Sequence, residues 1–282
     1  MLWLVLIAPC AWAQTCTGSG NLEIVEFKSD VFHNVRKLRV LLPEGYHRPG
    51  NALKYGVLYL NDGEQLFDAC STETPTWQAD KAIRELVRSR RIKPLIVVGI
   101  DSSGRRTRAN EYLPYPDDSL KPPIPAPQGK LYPDFLLKEV IPFVESKYRV
   151  KKGPADRLLG GASYGAGIAI YTAATRPDSF SGLLLESPSI YADDFHLLDD
   201  MSKTRKWPRT YVGVGTVKEP TDAFRILRAF FLQSGAALCA NEQKDGEHSA
   251  AWWGQRFPTA IEFLAGTSHP CRISEPRVTP SV

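Results

Sequence analysis

Short apolar runs alternate with amphipathic segments along most of the chain. The apolar runs predict β-strands over residues 22–27, 37–42, 55–60, 95–100, 182–187, 210–214 and 236–240, with one more ending at 159. Helical spacing of apolar positions predicts helices over residues 77–89, 135–148, 222–233 and 252–264, with another beginning near 168. Strands that are apolar throughout are covered on both faces, and their alternation with helices indicates a parallel arrangement. We therefore predict an α/β fold: a doubly wound, mostly parallel sheet with helices on both faces.

A polar, proline-rich passage interrupts this pattern between residues 101 and 133. Connections of that length in compact domains are usually functional lids or disordered segments, and we predict a loop of this kind here. The sequence contains neither an internal repeat nor a recognisable interdomain linker. We expect a leader with the first strand over residues 14–36, one α/β domain over 37–266 and a C-terminal tail over 267–282.

The first thirteen residues differ in character from the rest of the chain. They contain an apolar run over residues 2–8, followed by Ala11-Trp12-Ala13, which fits a signal-peptidase site. The run is too short to cross a bilayer. We therefore predict a signal peptide over residues 1–13 and a secreted or periplasmic protein, with a buried N-terminal strand as the alternative.

The charge distribution argues against two classes of partner. The formal net charge of +4 over 282 residues is modest, and the basic residues are scattered along the chain. Nucleic-acid sites and polybasic membrane anchors need clustered cations, so we expect neither partner. The hydrophobic content of 43% is enough for a large core.

Four cysteines remain after the predicted signal peptide, an even number that suggests disulfides in an exported protein. Cys239 lies in the last predicted strand, and Cys271 follows the last predicted helix, which must pack back beside that strand. We therefore predict a Cys239–Cys271 bond and, by elimination, a Cys16–Cys70 bond. The cysteine and histidine spacings do not fit a zinc site, so we expect no structural metal and no cofactor.

The sequence GASYG at residues 161–165 is a G-x-S-x-G motif that lies between a predicted strand and a predicted helix. A serine at such a turn exposes its hydroxyl, and flanking glycines let the strand and the helix approach closely. The helix N-terminus stabilises negative charge that develops beside it. This context predicts that Ser163 is a catalytic nucleophile.

A serine nucleophile needs a base, and the base needs a group that orients it. In doubly wound hydrolases the chain order is serine, acid, histidine. Of the five histidines, at positions 33, 47, 196, 248 and 269, only His248 lies between the last predicted strand and the last helix. A loop at the carboxyl end of a strand is where such a base belongs, so we predict His248.

The acid should follow the strand that ends near residue 214. Glu219 and Asp222 are the two candidates. Asp222 has a structural explanation, because an acidic residue in the first turn of a helix offsets the helix dipole. Glu219 has no such explanation and is the preferred acid, with Asp222 or a serine–histidine dyad as alternatives.

An oxyanion hole needs two backbone N–H groups. One is expected from Tyr164, the residue after the nucleophile, and the other from the turn at residues 62–65. Gly63 permits a close turn there, so we predict the amide of Glu64, with that of Gln65 as the alternative.

Several segments of the chain resemble the "Putative esterase" family, in the branch of the α/β-hydrolases that contains esterase D and the enterochelin esterases. The matching segments are residues 58–67, 97–101, 108–114, 139–142, 148–149, 186–189 and 246–248, together with the Ser163 motif. The resemblance implies serine-dependent hydrolysis of carboxylic esters, with substrates from siderophore lactones to feruloyl and acetyl sugar esters. This chain has one residue more than the family pattern between the strand and Glu219.

The same resemblance includes Arg108 and Glu111, which we expect to form an ion pair that positions the lid, with substrate contact by Arg108 as the alternative. We therefore expect a serine esterase that acts on a small-molecule, sugar or siderophore ester. An acyltransferase with the same residues is one alternative. A non-catalytic binding protein is the other, although such a protein would be expected to have lost its nucleophile or base.

Overall fold

The apolar runs form the centre of a mixed β-sheet. The computed structural model describes residues 14–15, 21–68, 75–191, 195–219 and 221–271. Within them the strands are β1 (Gln14–Thr15), β2 (Leu22–Ser29), β3 (Asn34–Leu41), β4 (Gly56–Asn61), β5 (Leu95–Ile100), β6 (Arg157–Ala162), β7 (Gly182–Glu186), β8 (Arg209–Val217) and β9 (Leu238–Glu247). Their order in the sheet is β1-β2-β3-β5-β4-β6-β7-β8-β9. The pairs from β5 to β9 are parallel, and the pairs among β1, β2, β3 and β5 are antiparallel.

Helices cover both faces of this sheet. They are α1 (Ala79–Arg88), α2 (Arg105–Tyr112), α3 (Tyr132–Asp134), α4 (Ile141–Lys147), α5 (Tyr164–Thr175), α6 (His196–Ser202), α7 (Thr221–Gln233) and α8 (Ala250–Ala265), and a π-helical segment (Phe135–Val140) joins α3 to α4. Alternate residues of β4 enter different cores: Tyr59 packs with the α5 side and Leu58 with the α1 and α8 side. The predicted α/β fold, with a doubly wound and mostly parallel sheet, is confirmed.

The proline-rich passage is not the continuous loop that we predicted. It contains α2, a short 3₁₀ turn (Gly129–Leu131) and the start of α3. Helix α2 is rich in polar and charged residues and has no apolar stripe that periodicity could detect. Tertiary ion pairs of its side chains, described below, attach it to the rest of the fold.

The last strand is also longer than predicted. β9 continues to Glu247 rather than ending near residue 240. Its second half is polar, because it lies at the edge of the sheet and its residues are largely exposed. Pairing with β8 becomes irregular here: Gly215 faces Gln243, whereas Val217 faces Glu247. Two residues of β8 therefore span the same distance as four residues of β9, which makes a bulge on β9.

A disulfide joins Cys239 in β9 to Cys271 beyond α8, with a sulfur–sulfur distance of 2.02 Å. This is the bond that the sequence predicted. The second predicted bond, Cys16–Cys70, and the predicted signal peptide lie outside the described residues. Among the described helices, none combines the length and the apolar character needed to cross a bilayer.

Candidate active site

Ser163 lies in a sharp turn between β6 and α5. Its backbone has φ +56° and ψ −126°, a conformation that costs on the order of 1–3 kcal/mol for a residue with a side chain. Its N–H donates to Glu186 O at 2.9 Å, and its carbonyl accepts the amides of Ala166 and Gly167 at 3.1 Å. These bonds hold the strained turn in place.

The glycines on either side of Ser163 are required by close packing. A Cβ on Gly161 would lie 2.8 Å from the backbone carbon of Gly165, and a Cβ on Gly165 would lie 2.7 Å from a carboxylate oxygen of Asp62. Both distances are shorter than normal contacts between carbon or oxygen atoms. The motif brings the strand and the helix into close contact, as its sequence predicted. The structure adds that the turn containing Asp62 packs against Gly165 as well.

The Ser163 hydroxyl contacts a second serine. Its Oγ lies 3.3 Å from the Oγ of Ser189, and the Ser189 amide donates to the Ser163 carbonyl at 3.3 Å. Ser189 is buried and follows β7, the strand between the one that carries Ser163 and the one that leads to Glu219.

His248 and Glu219 meet at the carboxyl ends of the last two strands. His248 follows β9 directly, and Glu219 follows β8 by two residues because that strand extends to Val217. The imidazole Nδ1 lies 2.8 Å from Glu219 Oε2. The carboxylate side chain is fully buried, whereas the imidazole side chain is 34% exposed. This geometry lets the carboxylate orient the ring and leaves Nε2 for a second partner.

Asp222, the alternative acid, occupies a different environment. It lies in the first turn of α7, and its side chain is 90% exposed and paired with Arg225 at 2.8 Å. An exposed carboxylate with a neighbouring arginine is typical of a solvated helix end. Of the two candidates, Glu219 is the one in contact with His248.

Ser187 holds Glu219 and Trp253 in turn holds Ser187, and sequence reasoning assigned no role to either. The Ser187 hydroxyl donates to Glu219 Oε1 at 2.7 Å, and Trp253 Nε1 donates to Ser187 Oγ at 3.0 Å. The Trp253 ring also packs edge-on against the His248 ring, with centroids 5.1 Å apart. The Ser-Pro-Ser sequence at 187–189 was visible as a motif, but its two contacts depend on the fold.

The turn after β4 lies beside the first turn of α5. Residues Gly63–Gln65 form a 3₁₀ turn, and Asn61 Nδ2 donates to the Gly165 carbonyl at 2.7 Å. The Gln65 amide donates to Asp62 O at 3.0 Å, so it already has a bond within the turn. Tyr164 is the first residue of α5, where helix geometry leaves the N–H without an intrahelical acceptor.

The Glu64 side chain ties this turn to the segment after β5. Its carboxylate accepts the Ser102 amide at 3.0 Å and the Ser102 hydroxyl at 2.5 Å. Burial raises the pKa of the Glu64 carboxyl, with the nearby Asp62 charge acting in the same direction. The residue proposed to supply the second oxyanion amide is therefore fixed through its own side chain.

Comparison with known proteins shows the family to which the chain belongs. The model of the family described as "Putative esterase" matches residues 29–264. The chain belongs to this family. It is 25% identical over 259 residues to the "Uncharacterized protein YjcH" of Bacillus subtilis (strain 168), covering 87% of this chain and 98% of YjcH.

Solved structures share the fold at lower identity. The BES protein from Bacillus cereus superposes with a TM-score of 0.71 at 18% identity, over 92% of this chain and 99% of that one. An enterochelin esterase from Shigella flexneri gives 0.70 at 18% identity, over 90% of this chain and 60% of its own length. The resemblance that the sequence motifs indicated is thus confirmed at the level of family and fold.

The predicted ion pair between Arg108 and Glu111 is wrong. Arg108 instead binds Asp62, with Nε 2.5 Å from Oδ1 and Nη2 2.8 Å from Oδ2. Glu111 binds Arg36 of β3 at 2.9 Å. Both residues lie on α2, but each pairs with an oppositely charged residue elsewhere in the fold. A pair between Arg108 and Glu111 would have left the charges of Asp62 and Arg36 without these partners.

Another buried ion pair lies near Glu219. Glu186, at the end of β7, and Arg256, in α8, have an oxygen–nitrogen distance of 2.7 Å, and both side chains are almost completely buried. Burial raises the pKa of Glu186 to about 7, although Arg256 acts to lower it, and the negative charge of Glu219 adds to the increase.

Within the described residues, histidine, cysteine and carboxylate side chains do not form a cluster of three or more that could hold a metal ion.

Proposed function

We propose that this member of the esterase family is a serine carboxylic ester hydrolase that works through an acyl-enzyme. The observation that carries the proposal is the 2.8 Å contact between His248 and a buried Glu219, at the carboxyl ends of the parallel strands, where Ser163 occupies a strained turn. Contacts link these residues along one short segment, since Ser189 touches Ser163 and Ser187 touches Glu219. This combination supports a nucleophile, a base and an orienting acid in one site.

The chemistry follows from these roles. Ser163 Oγ attacks the ester carbonyl carbon while His248 Nε2 takes the hydroxyl proton, and Glu219 keeps the remaining proton on Nδ1. The amides of Glu64 and Tyr164 stabilise the oxyanion. Collapse of the intermediate breaks the bond to the alkoxy oxygen, which receives the proton from His248 and leaves as the alcohol. Water, deprotonated by His248, then releases the carboxylic acid and restores Ser163.

The substrate class proposed is a small-molecule carboxylic ester, such as a siderophore or sugar ester. The Shigella neighbour of this fold is named as an enterochelin esterase, which supports the siderophore part of that range. We place the enzyme in a secreted or periplasmic compartment. The Cys239–Cys271 bond supports this placement, because structural disulfides persist mainly in oxidising compartments.

Labelling and turnover together test the proposal. A fluorophosphonate should react once per chain and map to Ser163, and a panel of p-nitrophenyl, feruloyl and siderophore esters should reveal hydrolysis. Ser163→Ala should lower kcat by on the order of 10⁶ while leaving the protein folded. An added alcohol acceptor separates hydrolysis from acyl transfer by the products. Label on another serine, or no turnover of any ester, would contradict the assignment.

A further inference from the structure

Arg108 makes two contacts that connect separate parts of the site. Its guanidinium forms the bidentate pair with Asp62, and Nη2 also donates to the backbone carbonyl of Ala162 at 3.3 Å. The Arg108 side chain is 22% exposed and that of Asp62 is 7% exposed. A half-enclosed bidentate arginine–carboxylate pair of this kind has little freedom to move.

The two contacts occupy equivalent positions in the two halves of the proposed oxyanion hole. Asp62 lies two residues before Glu64, and Ala162 lies two residues before Tyr164. One guanidinium therefore touches the chain just ahead of each proposed oxyanion amide. The turn after β4 and the turn after β6 are joined through a single side chain that comes from a third element, α2.

The backbone around Asp62 shows why such a connection matters. Asp62 has φ +59° and ψ +51°, a left-handed conformation from which the 3₁₀ turn begins. Its carboxylate is held by Arg108, and its neighbour Asn61 is held by Tyr132, whose hydroxyl donates to Asn61 Oδ1. The direction of the Glu64 amide depends on this conformation. Loss of the bidentate contact with Arg108 would therefore remove one of the interactions that hold the Asn61–Asp62 segment.

We propose that Arg108 is a positioning residue that sets the spacing between the two oxyanion amides. This inference rests on the proposed function. The Arg108 guanidinium also lies over the Tyr112 and Tyr164 rings, at 5.2 Å and 5.5 Å from their centroids. The guanidinium is thus occupied by Asp62, the Ala162 carbonyl and two aromatic rings of the protein. This favours a positioning role over contact with the substrate, the alternative that the sequence left open.

The experiment compares Arg108→Met and Arg108→Lys with the wild type. Lysine keeps the charge but cannot form the two-pronged contact. The matched control is Arg157→Met, which removes a similarly enclosed pair with Glu145, 2.6 Å long, at the opposite end of β6. For each variant, kcat and KM are measured with p-nitrophenyl butyrate, and the melting temperature is measured by thermal denaturation. The Ki is measured for a boronic acid that forms a tetrahedral adduct with serine.

Removal of one oxyanion donor typically costs about 10²–10³ in kcat, and we expect Arg108→Met to approach the lower end. The Ki for the boronic acid should rise by a similar factor, whereas KM should change by less than about threefold, because ground-state binding does not use the hole. Arg108→Lys should recover only part of the loss. Arg157→Met should lower the melting temperature without a comparable change in kcat.

Three outcomes would overturn the inference. A large rise in KM with unchanged kcat would make Arg108 a substrate contact, and unchanged kcat and Ki would leave it without a role in the hole. Should Arg108→Met not fold, Arg108→Lys and Asp62→Asn provide the same comparison, and asparagine suits the left-handed conformation. If wild-type protein neither hydrolyses esters nor is labelled at Ser163, the proposed function itself fails and the inference falls with it.

Discussion

His248 Nδ1 and Glu219 Oε2 lie 2.8 Å apart although 29 residues separate them along the chain. A histidine that binds a carboxylate through Nδ1 has its neutral tautomer and its ring orientation defined by that bond. Because Glu219 is fully buried, solvent does not compete for the contact. The relationship leads to a direct comparison between the two carboxylates that the sequence offered.

We expect Glu219→Gln to lower kcat by on the order of 10³–10⁴, because the amide would favour the wrong histidine tautomer. Asp222→Asn is the matched control: it removes an exposed charge paired with Arg225 and should act mainly on helix stability. Steady-state kinetics with p-nitrophenyl acetate and thermal melts check both effects. A large loss in Asp222→Asn with a mild one in Glu219→Gln would transfer the role, and two mild effects would indicate a dyad.

Ser187 provides a second test of the acid. Its hydroxyl donates to Glu219 Oε1. A hydrogen bond to a charged group stabilises the bonded arrangement by about 1.5–3 kcal/mol, and here that arrangement includes the carboxylate that orients His248. Ser187→Ala should therefore lower kcat by roughly 10- to 100-fold, with Trp253→Phe giving a smaller loss in the same direction.

Ser181→Ala serves as the control for Ser187→Ala. Ser181 donates to the Arg157 carbonyl at 3.0 Å. It precedes β7 and therefore lies at the amino end of that strand, whereas Ser187 follows its carboxyl end. Ser181→Ala should change stability and leave kcat near the wild-type value. Equal losses of kcat in both serine variants would mean that Ser187 affects the site only through general destabilisation.

The Glu186–Arg256 pair predicts a pH dependence of stability. With a folded-state pKa of about 7 against an ordinary 4.5, Glu186 keeps a proton in the folded state that the unfolded state has released. Its contribution to stability is therefore present at low pH and falls as pH rises through about 4.5 to 7. The free energy of unfolding relative to Glu186→Gln should fall by roughly 3 kcal/mol across that window.

Urea denaturation of both proteins at several pH values measures this difference. Glutamine has nearly the same shape and does not titrate, so other groups cancel in the comparison. A difference that does not vary with pH would mean that the 2.7 Å contact with Arg256 keeps Glu186 ionised throughout.

The Cys239–Cys271 bond spans 32 residues, and the chain-entropy model assigns about 3–4 kcal/mol to a loop of that size. The double variant Cys239→Ala with Cys271→Ala should unfold at lower urea by a corresponding amount when no reductant is present. Its kcat at low temperature should remain close to the wild-type value, because Cys239 lies near the start of β9, whereas His248 follows the end of that strand. Equal denaturation curves for both proteins would show that the bond adds nothing to stability.

The central strands and the Ser163 turn could be predicted because local sequence determines them, whereas the order of the candidate triad follows from the doubly wound architecture. β5 is apolar throughout since both its faces are covered, and the Ser163 turn needs its glycines within four residues of one another. Helix α2 could not be predicted in this way. Its anchors, Asp62 and Arg36, come from elements distant in the chain, and a single sequence does not reveal such pairing.

The same reason explains the error at Arg108 and the roles of Ser187 and Trp253, which sequence reasoning did not assign. Charge pairing within one helix can be expected from local sequence. The observed contacts instead involve Asp62, Ser187 and Glu219, which follow the carboxyl ends of β4, β7 and β8. The polar half of β9 escaped prediction because an edge strand needs no continuous apolar face.

The bulge on β9 has a consequence for how this site can change during evolution. Between Gln243 and Glu247 the strand takes four residues where β8 takes two, and Gly215 makes room, since a Cβ there would collide with the Gly246 carbonyl. The bulge therefore determines how far His248 stands along its strand relative to Glu219. Shortening or lengthening residues 243–247 would shift His248 relative to Glu219 without disturbing either core. Insertions in this segment would therefore abolish the contact between His248 and Glu219 while leaving the fold intact.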